Sequence, residues 1–442
     1  MSHVFPRHCH KTPQTALRGE GCYLYDSTGK EYLDGSGGAA VSCLGHGDAD
    51  VIAAVQKQVA ELAFAHTGFL TSDPAEALAA LLAQHAPGTL DRVYFVSGGS
   101  EATEAALKLA RQYFVEVGQS QRRHLVARKQ SYHGNTIGAL SAGGNELRKR
   151  PFAPLLVEVS HIAPCYEYTL RDEKESAAEY GLRAAQDLED EILRLGPETV
   201  MAFMAEPVVG ATLGAVPAVE GYFKRIREIC DRYGVLLILD EVMCGMGRTG
   251  HLFACEAEGI APDILCIAKG LGAGYQPIGA MLCTDAIYNA IKAGSGFFQH
   301  GHTYLGHPVA TAAALAVVGK ILDQHLTERS LRQGHKLSSA LHECFDQHPH
   351  VGDIRGRGLF QAIELVADRE TKQPFDPSMG LAGKIKSAAL EAGLICYPMP
   401  GTRDGQSGDH VLLAPPFIIT DKQIEELVSK LEMSLKNSLE KL

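Results

Sequence analysis

A lysine and an aspartate, which together can do chemistry on amines, each close a short apolar segment of this sequence. Lys269 follows the apolar run 264–267 and precedes Gly270, and Asp240 follows the run 235–239. If both runs are parallel strands, their carboxyl ends meet at the edge of the sheet where α/β folds bind ligands. A lysine removed from water there is a candidate imine-forming nucleophile. A carboxylate beside it can pair with a protonated pyridine nitrogen, the arrangement that pyridoxal phosphate (PLP) uses.

A glycine-rich turn precedes a helical pattern at residues 96–102, Val-Ser-Gly-Gly-Ser-Glu-Ala. Glycines let backbone N–H groups approach an anion, and the positive end of a helix favours a phosphate. We place Ser100 at the N-cap of that helix. A tight turn with an ordinary cap fits the segment equally well. The turn matches neither the P-loop pattern nor the dinucleotide-binding glycine pattern.

Three further segments carry residues that suit a site, and each also has a plainer explanation. Tyr132, in Ser-Tyr-His-Gly, can stack on a flat ring or fill the core. Glu206 follows the run 200–205 and can organise hydrogen bonds or lie in solvent. The histidines of 300–307 lack zinc spacing and nearby cysteine or acidic ligands, so we predict a polar loop and no metal site.

Between about residues 90 and 320, apolar runs alternate with helical patterns, which predicts an α/β fold with a mainly parallel sheet covered on both faces. The predicted strands are 93–96, 125–127, 200–205, 235–239, 264–267 and 279–283, and the main helices are 101–117, 177–195 and 221–233.

The two ends of the chain differ from this middle part. We predict an N-terminal hairpin of 21–26 and 30–34, then helices over 50–63 and 78–84. A smaller C-terminal α+β domain should contain a half-exposed strand 358–365, a helix 379–392, a strand 393–397 and a helix that Thr420 begins in a capping box with Gln423. The resulting division is an N-terminal segment 1–65 that packs with the small domain, a large domain 66–325 and the small domain 326–442.

The composition is that of an ordinary globular protein and narrows the possible partners. Of 442 residues, 45% are hydrophobic, and a net charge of −11 with scattered basic residues argues against nucleic acid or an anionic membrane. The 11 scattered cysteines indicate reduced thiols and hence a cytoplasmic protein. Residues 1–15 lack an apolar signal core, and no apolar stretch is long enough for a membrane span.

Taken together, the motifs resemble those of class III aminotransferases, the ω-aminotransferase group of fold-type-I PLP enzymes. Taken alone, Lys269 fits a solvated strand end and Asp240 fits a helix cap. The ordered set of motifs favours the functional interpretation, and the resemblance extends from about Gly21 to the C-terminus. The motifs are 97–102, 132–134, 206–207, 240–242 with 247–250, 269–270 and 301–304. The resemblance implies a large domain with a seven-stranded, mainly parallel sheet and a smaller α+β domain.

The resemblance also assigns roles to individual residues. Lys269 would hold PLP and carry the proton, and Asp240 would keep the pyridine nitrogen protonated. The other cofactor contacts would be Gly99 and Ser100 at the phosphate, Tyr132 and Val242 on the two ring faces, Glu206 and His133 in the surrounding network, and Thr303 at the phosphate of a neighbouring subunit. Such sites lie at a dimer interface, so we expect a homodimer or a dimer of dimers.

Two departures from the ornithine- and GABA-type members bear on the substrates. The residue after Glu206-Pro-Val-Val-Gly is Ala211, where those members have a glutamate that gates an arginine for 2-oxoglutarate, and Met243 replaces their glutamine. Both changes are typical of the pyruvate-linked subgroup. There a mobile arginine precedes a Gly-Asp-His segment. Arg403, which precedes Gly408-Asp409-His410, fits that role or that of an ordinary solvated loop arginine. The resemblance implies that Tyr23, Phe64, His66 and Phe69 form the walls of the substrate pocket.

We therefore expect a PLP-dependent transaminase that moves an amino group from an ω-amino acid or amine to a keto acid, with pyruvate as acceptor. Alternatives on the same anchor residues are a 2-oxoglutarate-linked aminotransferase, a 2,2-dialkylglycine-type decarboxylase, an aminomutase or an epimerase. Outside that chemistry, the fold also suits a nucleotide-binding oxidoreductase or a catalytically silent interaction protein. The intact Asp240 and Lys269 pair argues against the silent protein.

Overall fold

The computed structural model describes residues 3–10 and 12–440. Its strands, in chain order, are β1 Ala16–Glu20, β2 Tyr23–Asp26, β3 Glu31–Asp34, β4 Leu90–Val96, β5 His124–Arg128, β6 Ser160–Ile162, β7 Val200–Ala205, β8 Val208–Val209, β9 Val216–Pro217, β10 Leu236–Asp240, β11 Ile264–Ile267, β12 Gly279–Thr284, β13 Val351–Arg357, β14 Phe360–Leu365, β15 Leu394–Ile395, β16 Tyr397–Pro400 and β17 Asp409–Leu413.

The helices cover the sheets and include several short segments. They are α1 Gly37–Ala40, α2 Ala49–Glu61, α3 Asp73–His85, α4 Gly99–Glu116, α5 Ile137–Ala142, α6 Glu146–Lys149, α7 Glu167–Leu170, α8 Ala177–Leu195, α9 Tyr222–Tyr233, α10 Asp285–Ala293, α11 Pro308–Asp323, α12 Leu326–Phe345, α13 Leu381–Glu391 and α14 Asp421–Leu439. Turns of 3-10 helix lie at Arg150–Leu155, Pro197–Thr199, Ala254–Glu258, Lys269–Leu271 and Pro377–Met379.

The central sheet has seven strands in the order β4-β12-β11-β10-β7-β5-β6, which confirms the predicted α/β architecture. Neighbours from β11 through β10, β7 and β5 to β6 run parallel, and β12 runs antiparallel to both β11 and β4. Strand β4 therefore points the same way as β11. The carboxyl ends of β4, β5, β7, β10 and β11 all meet at one edge of the sheet.

Apolar residues on both faces explain why the inner strands are unbroken hydrophobic runs. Every residue of β7 and β10 is buried. Phe203 and Leu237 face one apolar cluster, which includes residues of α8 and α9, whereas Met204 and Ile238 face a second cluster that includes the alanine-rich side of α4. Because side chains alternate along a strand, a strand covered by helices on both faces must be apolar at every position.

The N-terminal hairpin is joined to the C-terminal part of the chain. Strands β2 and β3 pair antiparallel as predicted, and β1, which the sequence analysis did not predict, adds to their edge. On the other side, β3 pairs in parallel with β15, with Leu33 opposite Leu394. The boundaries of the three proposed segments stay a prediction.

The predicted strand 393–397 is wrong as a single element. It divides into β15, which joins the N-terminal sheet, and β16, which pairs with β17 in the sheet β13-β14-β17-β16. Cys396 lies buried between the two strands. The chain changes its pairing partner at that residue, and an apolar pattern carries no information on such a change.

The half-exposed strand predicted for 358–365 is also wrong, because β14 is buried along its whole length. It lies between β13 and β17, and its two faces pack into different apolar clusters. Its polar residues, which suggested exposure, are Gln361 and Glu364, and both are buried with hydrogen-bond partners. Paired buried polar groups are tolerated where unpaired ones are not.

The C-terminal helix α14 begins and packs as its sequence predicts. Thr420 and Gln423 form the capping box, and the apolar stripe from Ile424 to Leu435 is buried. By length and composition, no single helix in the described part of the chain could cross a membrane. Helices α11 and α12 pass that test only as a pair bent by 67°.

We expect Thr420→Ala to lower the free energy of unfolding by about 1 kcal/mol, the usual contribution of an N-cap side chain. Urea unfolding followed by circular dichroism measures the loss. Thr420→Ser keeps the hydroxyl that accepts from the Gln423 N–H, and it should retain most of the stability. Equal losses in the serine and alanine variants would show that the capping hydrogen bond contributes nothing.

Candidate active site

A cavity of about 460 Å³ opens where the carboxyl ends of the parallel strands meet. A volume of this size is typical of small-ligand sites. Asp240 ends β10, and Glu206 and Lys269 follow β7 and β11 closely in the chain. The lining residues are Val41, Ser97, Gly98, Gly99, Ser100, Tyr132, His133, Gly134, Glu206, Ala211, Asp240, Val242, Met243, Ala268, Lys269, Gly274, Gln276, Pro277 and Ile278.

Lys269 is held in an unusual backbone conformation at the end of β11. Its φ is 46°, in the left-handed region that non-glycine residues rarely adopt. Such local strain is typical of functional sites, where the surrounding structure compensates for it. Within the described residues, its amine makes no hydrogen bond or ion pair. Burial lowers the pKa of Lys269, and the Asp240 and Glu206 carboxylates oppose that shift.

Asp240 is oriented by two hydrogen bonds. Its Oδ2 lies 2.8 Å from Nδ1 of His133, and its Oδ1 accepts from the Val242 N–H at 3.0 Å. The His133 ring is buried. The backbone carbonyl of His133 accepts from the Thr103 hydroxyl at 2.9 Å. His133 thus limits the orientation of the Asp240 carboxylate, which lines the cavity. The sequence analysis placed His133 near the cofactor by resemblance alone and did not predict this contact.

Glu206 joins two segments of the cavity wall through its carboxylate. Oε1 accepts from the Tyr132 N–H at 3.1 Å, and Oε2 accepts from the Gly210 N–H at 3.0 Å. Arg128 donates to the Glu206 carbonyl. Burial raises the pKa of Glu206, the nearby Asp240 adds to that shift, and His133 opposes it. Glu206 therefore links the backbone of Tyr132 to that of Gly210, where the 210–215 segment begins.

Helix α4 presents its N-terminus to the cavity, although not through the predicted cap. The helix begins at Gly99 with Gly98 as N-cap, so the N-cap assignment of Ser100 was wrong. Ser100 lies in the first turn, and its Oγ accepts from the Asn135 N–H at 3.0 Å. No side chain caps the helix, which leaves N–H groups of the first turn open to an anion.

Val242 and Tyr132 both line the cavity. A Cβ on Gly99 would lie 2.6 Å from Cγ1 of Val242, so only glycine allows that approach. The Arg148 guanidinium carbon lies 4.7 Å from the centre of the Tyr132 ring. A cation over an aromatic face is attractive and limits the movement of the ring.

Ala211 and Met243 make the neighbouring part of the wall apolar. Both line the cavity and belong to one apolar cluster with Phe360 and Leu412. The Met243 sulfur packs where a Cβ of Gly210 would otherwise lie. No arginine is among the described residues that line the cavity.

The other predicted site residues lie outside the cavity of their own chain. Tyr23 donates its hydroxyl to Glu426, and Arg403 donates to the Lys372 carbonyl. Phe64 packs edge-on against Tyr304 with ring centres 5.7 Å apart, and His66 lies 5.7 Å from Phe69. Thr303 and its neighbour Tyr304 are both exposed.

Sequence reasoning missed Val41 and the wall formed by residues 274–278. The signal that was available is the glycine-rich run after Lys269, where Ala273 and Gly274 have φ of 48° and 86°. Such a run indicates a backbone that turns sharply beside a site. Val41 comes from the distant N-terminal segment, and no local pattern predicts its position.

Comparisons with known proteins agree with this geometry. A family model described as aminotransferase class-III matches residues 4–435. An uncharacterized aminotransferase of Schizosaccharomyces pombe is 48% identical, over 97% of this chain and 93% of the relative. A putrescine–pyruvate aminotransferase of Pseudomonas aeruginosa is 35% identical, over 95% and 90%. A diaminobutyrate–2-oxoglutarate transaminase of Halomonas elongata is 34% identical, over 94% and 89%.

A solved structure extends the similarity to three dimensions. The ω-transaminase of Pseudomonas jessenii in complex with PMP superposes with a TM-score of 0.93 and 32% identity. The match covers 99% of this chain and 97% of that one. The PLP fold type I expected from the sequence is thereby confirmed.

We expect Asp240→Asn to lower the pKa of Lys269 further in cofactor-free protein. The Asp240 charge favours the ammonium form, so its removal leaves the burial effect less opposed. The neutral amine, which reacts with aldehydes, should then appear at lower pH. Reductive methylation at a series of pH values, with peptide mapping of Lys269, measures the midpoint. Lys57 serves as the unaffected control, and a midpoint that stays or rises would contradict the electrostatic coupling.

Proposed function

We propose that this chain, which belongs to the class-III aminotransferase family, moves an amino group from an ω-amino acid or amine to a keto acid, with pyruvate as its preferred acceptor. The chain is an aminotransferase, and its family uses PLP. The observation that carries the proposal is the shared cavity of Lys269 and Asp240, at the ends of two adjacent parallel strands.

The residues present fit PLP. The uncapped N-terminus of α4, with Gly99 and Ser100, suits a phosphate, and Asp240 suits a protonated ring nitrogen. The Lys269 amine has no competing partner among the described residues. When bound, PLP supplies a ring that stabilises negative charge on the carbon that loses a proton. We propose that these residues, with Tyr132 and Val242 on the ring faces, hold it.

Each catalytic side chain then has a defined task. Lys269 takes and returns a proton at Nζ, a role that its lowered pKa favours. Asp240 keeps a proton on the ring nitrogen, and His133 fixes the orientation of the carboxylate. Glu206 keeps Tyr132 in position through its backbone N–H. The apolar wall at Ala211 and Met243 offers no hydrogen-bond partner to water on that side of the site.

We further propose that two copies of the chain complete each site, with Thr303 of one subunit at the phosphate of the other. Exposed apolar side chains support this proposal, because Tyr304 follows Thr303 in the chain and packs against Phe64. Phe69 is 86% exposed and Tyr304 is 56% exposed, an unusual amount of apolar surface unless another chain covers it. Phe64 and Leu70 belong to the same exposed region of the chain.

A cytoplasmic location is also a proposal. Every cysteine in the described part of the chain is a free thiol, and most of them are buried. Free buried cysteines are usual in a reducing compartment, whereas exported proteins commonly pair them.

The preference for pyruvate rests on the wall that Ala211 and Met243 form. The relatives named above include both pyruvate- and 2-oxoglutarate-linked enzymes, so family membership leaves the acceptor open. 2-Oxoglutarate carries a second carboxylate, and burying it against an apolar wall without a cation costs several kcal/mol. The single carboxylate of pyruvate avoids that cost.

We expect kcat/KM for pyruvate to exceed that for 2-oxoglutarate by about tenfold or more, equivalent to about 1.4 kcal/mol in the barrier. The donor is the best substrate from a screen of putrescine, benzylamine, β-alanine and 4-aminobutyrate. Lys269→Ala is the inactive control.

The outcomes separate two parts of the proposal. Absence of amino transfer with every donor and acceptor would refute the substrate class that we propose. A clear preference for 2-oxoglutarate would refute only the role assigned to Ala211.

Mixing Lys269→Ala with Thr303→Ala protein should partly restore activity. In a heterodimer, one site has both Lys269 of its own chain and Thr303 of the other, whereas each parent lacks one of them at both sites. Subunit exchange is verified with two differently sized tags. The test requires that both parent variants are impaired and that their subunits exchange. If activity then fails to recover, Thr303 acts within its own chain.

A further inference from the structure

Residues 401–408 form a compact loop between β16 and β17, and this loop carries Arg403. The Arg403 N–H donates to the Ser407 carbonyl at 3.0 Å, and Gly405 donates to the Gly401 carbonyl at 3.0 Å. The Asp404 carboxylate accepts from the N–H groups of Gln406 and Ser407. The loop therefore keeps its own shape, and its position depends on how its base is attached to the rest of the protein.

Two buried hydrogen bonds attach the base of the loop. The Thr402 hydroxyl donates to Oε1 of Glu364 at 2.7 Å, and Nε2 of Gln130 donates to the Gly401 carbonyl at 2.8 Å. Thr402 and Glu364 are each only 1% exposed. Water is therefore absent as a substitute partner, and each bond fixes the loop more firmly than a surface bond would.

The other oxygen of Glu364 is bound to the segment that forms the apolar wall. Oε2 accepts from Nη2 of Arg355 at 2.6 Å and from the Tyr166 hydroxyl at 2.8 Å. Arg355 in turn donates from Nε to the Gly214 carbonyl at 2.8 Å and from Nη2 to the Leu213 carbonyl. Glu364 thus connects the base of the Arg403 loop to the segment 210–215, which contains Ala211.

Gln130 forms a second connection between the same two segments. Its carbonyl accepts from the Thr212 hydroxyl at 2.5 Å, while its side chain reaches Gly401. Its Oε1 accepts from Nδ2 of Asn145 at 3.1 Å, and its φ is 54°. A buried side chain that both donates and accepts on a left-handed backbone indicates that the surrounding structure compensates for strain at this residue.

The Arg403 side chain itself is weakly held. One guanidinium nitrogen donates to the Lys372 carbonyl at 3.0 Å, and the group lies 5.7 Å from the Tyr168 ring centre. Its Nε is buried without a partner among the described residues. A cation with unused donors on a firmly attached loop can turn toward an anion while its backbone stays in place.

We propose that Glu364 is a positioning residue for recognition of the acceptor carboxylate. Through Thr402 and Arg355 it fixes the Arg403 loop relative to the Ala211 wall, so that Arg403 reaches the carboxylate of a small keto acid. Glu364 lies outside the cavity lining and does not contact the reacting groups. This inference rests on the proposed transaminase function and specifies how that site recognises its acceptor.

Thr402→Val tests the proposal because it keeps the shape of the side chain and removes one hydrogen bond. Measured separately, the acceptor half-reaction should show a KM for pyruvate raised about tenfold, with kcat changed less than about twofold. The donor half-reaction with putrescine or benzylamine, which carry no carboxylate, should stay within about twofold of wild type. Thr402→Ser retains the hydroxyl and should restore the KM.

A second measurement follows the loop directly in the PLP-loaded protein. Amide hydrogen exchange over residues 401–408 should accelerate in Thr402→Val and return toward wild type in Thr402→Ser. Thr199→Val is the matched control, because the Thr199 hydroxyl bonds the Leu195 and Gly196 carbonyls at the end of α8. It should change neither the pyruvate KM nor the exchange of the loop.

The outcomes distinguish this proposal from the function on which it rests. An unchanged pyruvate KM in an active Thr402→Val enzyme overturns the role of Glu364. Equal losses in the donor and acceptor half-reactions overturn it as well, because they indicate a general structural defect. Wild-type protein that transfers no amino group from any donor would instead refute the proposed function. Arg403→Ala should raise the pyruvate KM at least as much as Thr402→Val, and a smaller effect contradicts the proposal.

Discussion

The carboxylate of Asp240, buried beside a second carboxylate and an amine, is the constraint on which the site depends. Removing a charge from water is costly unless partners replace the lost hydration. His133 and the Val242 N–H supply those partners, and two backbone N–H groups do the same for Glu206. The two carboxylates favour the charged form of Lys269, whereas its burial lowers its pKa. The hydrogen bonds that compensate for burying the two carboxylates also fix the orientation of those carboxylates. The same contacts therefore determine both the stability and the geometry of the site.

The parallel sheet makes this arrangement possible because it brings several strand ends to one edge. Asp240, Glu206 and Lys269 come from different parts of the chain and meet there without long loops. The helix that follows β4 adds an N-terminus without a side-chain cap at the same edge. The cavity therefore contains both the positive end of a helix dipole and the carboxylates of Asp240 and Glu206. The apolar strands beneath support the edge rigidly, since both of their faces are packed.

The acceptor recognition that we propose depends on contacts beyond those that hold Lys269 and Asp240. The wall with Ala211 is tied to the C-terminal sheet through Arg355 and Glu364, a buried pair on neighbouring strands. Breaking a buried pair from one side leaves an uncompensated charge, which explains why such a pair can hold two loops in register. Asp240 and Lys269 lie at strand ends of the central sheet instead, so in our proposal acceptor specificity and cofactor chemistry can vary separately.

The sequence by itself determined the α/β fold, most strands of the central sheet, the capping box of α14 and the grouping of Lys269 with Asp240, because each follows from a local pattern of apolar, polar or glycine residues. It was wrong where the outcome depends on which segments become neighbours. The run 393–397 divides between two sheets, and β14 is buried despite Gln361 and Glu364. The N-cap error at Ser100 was local instead, because α4 begins at Gly99 with Gly98 as its N-cap. Only the tertiary structure joined His133 to Asp240 and Glu364 to the Arg403 loop. Those contacts are made by residues distant in the chain, and their energies depend on burial that no local pattern encodes.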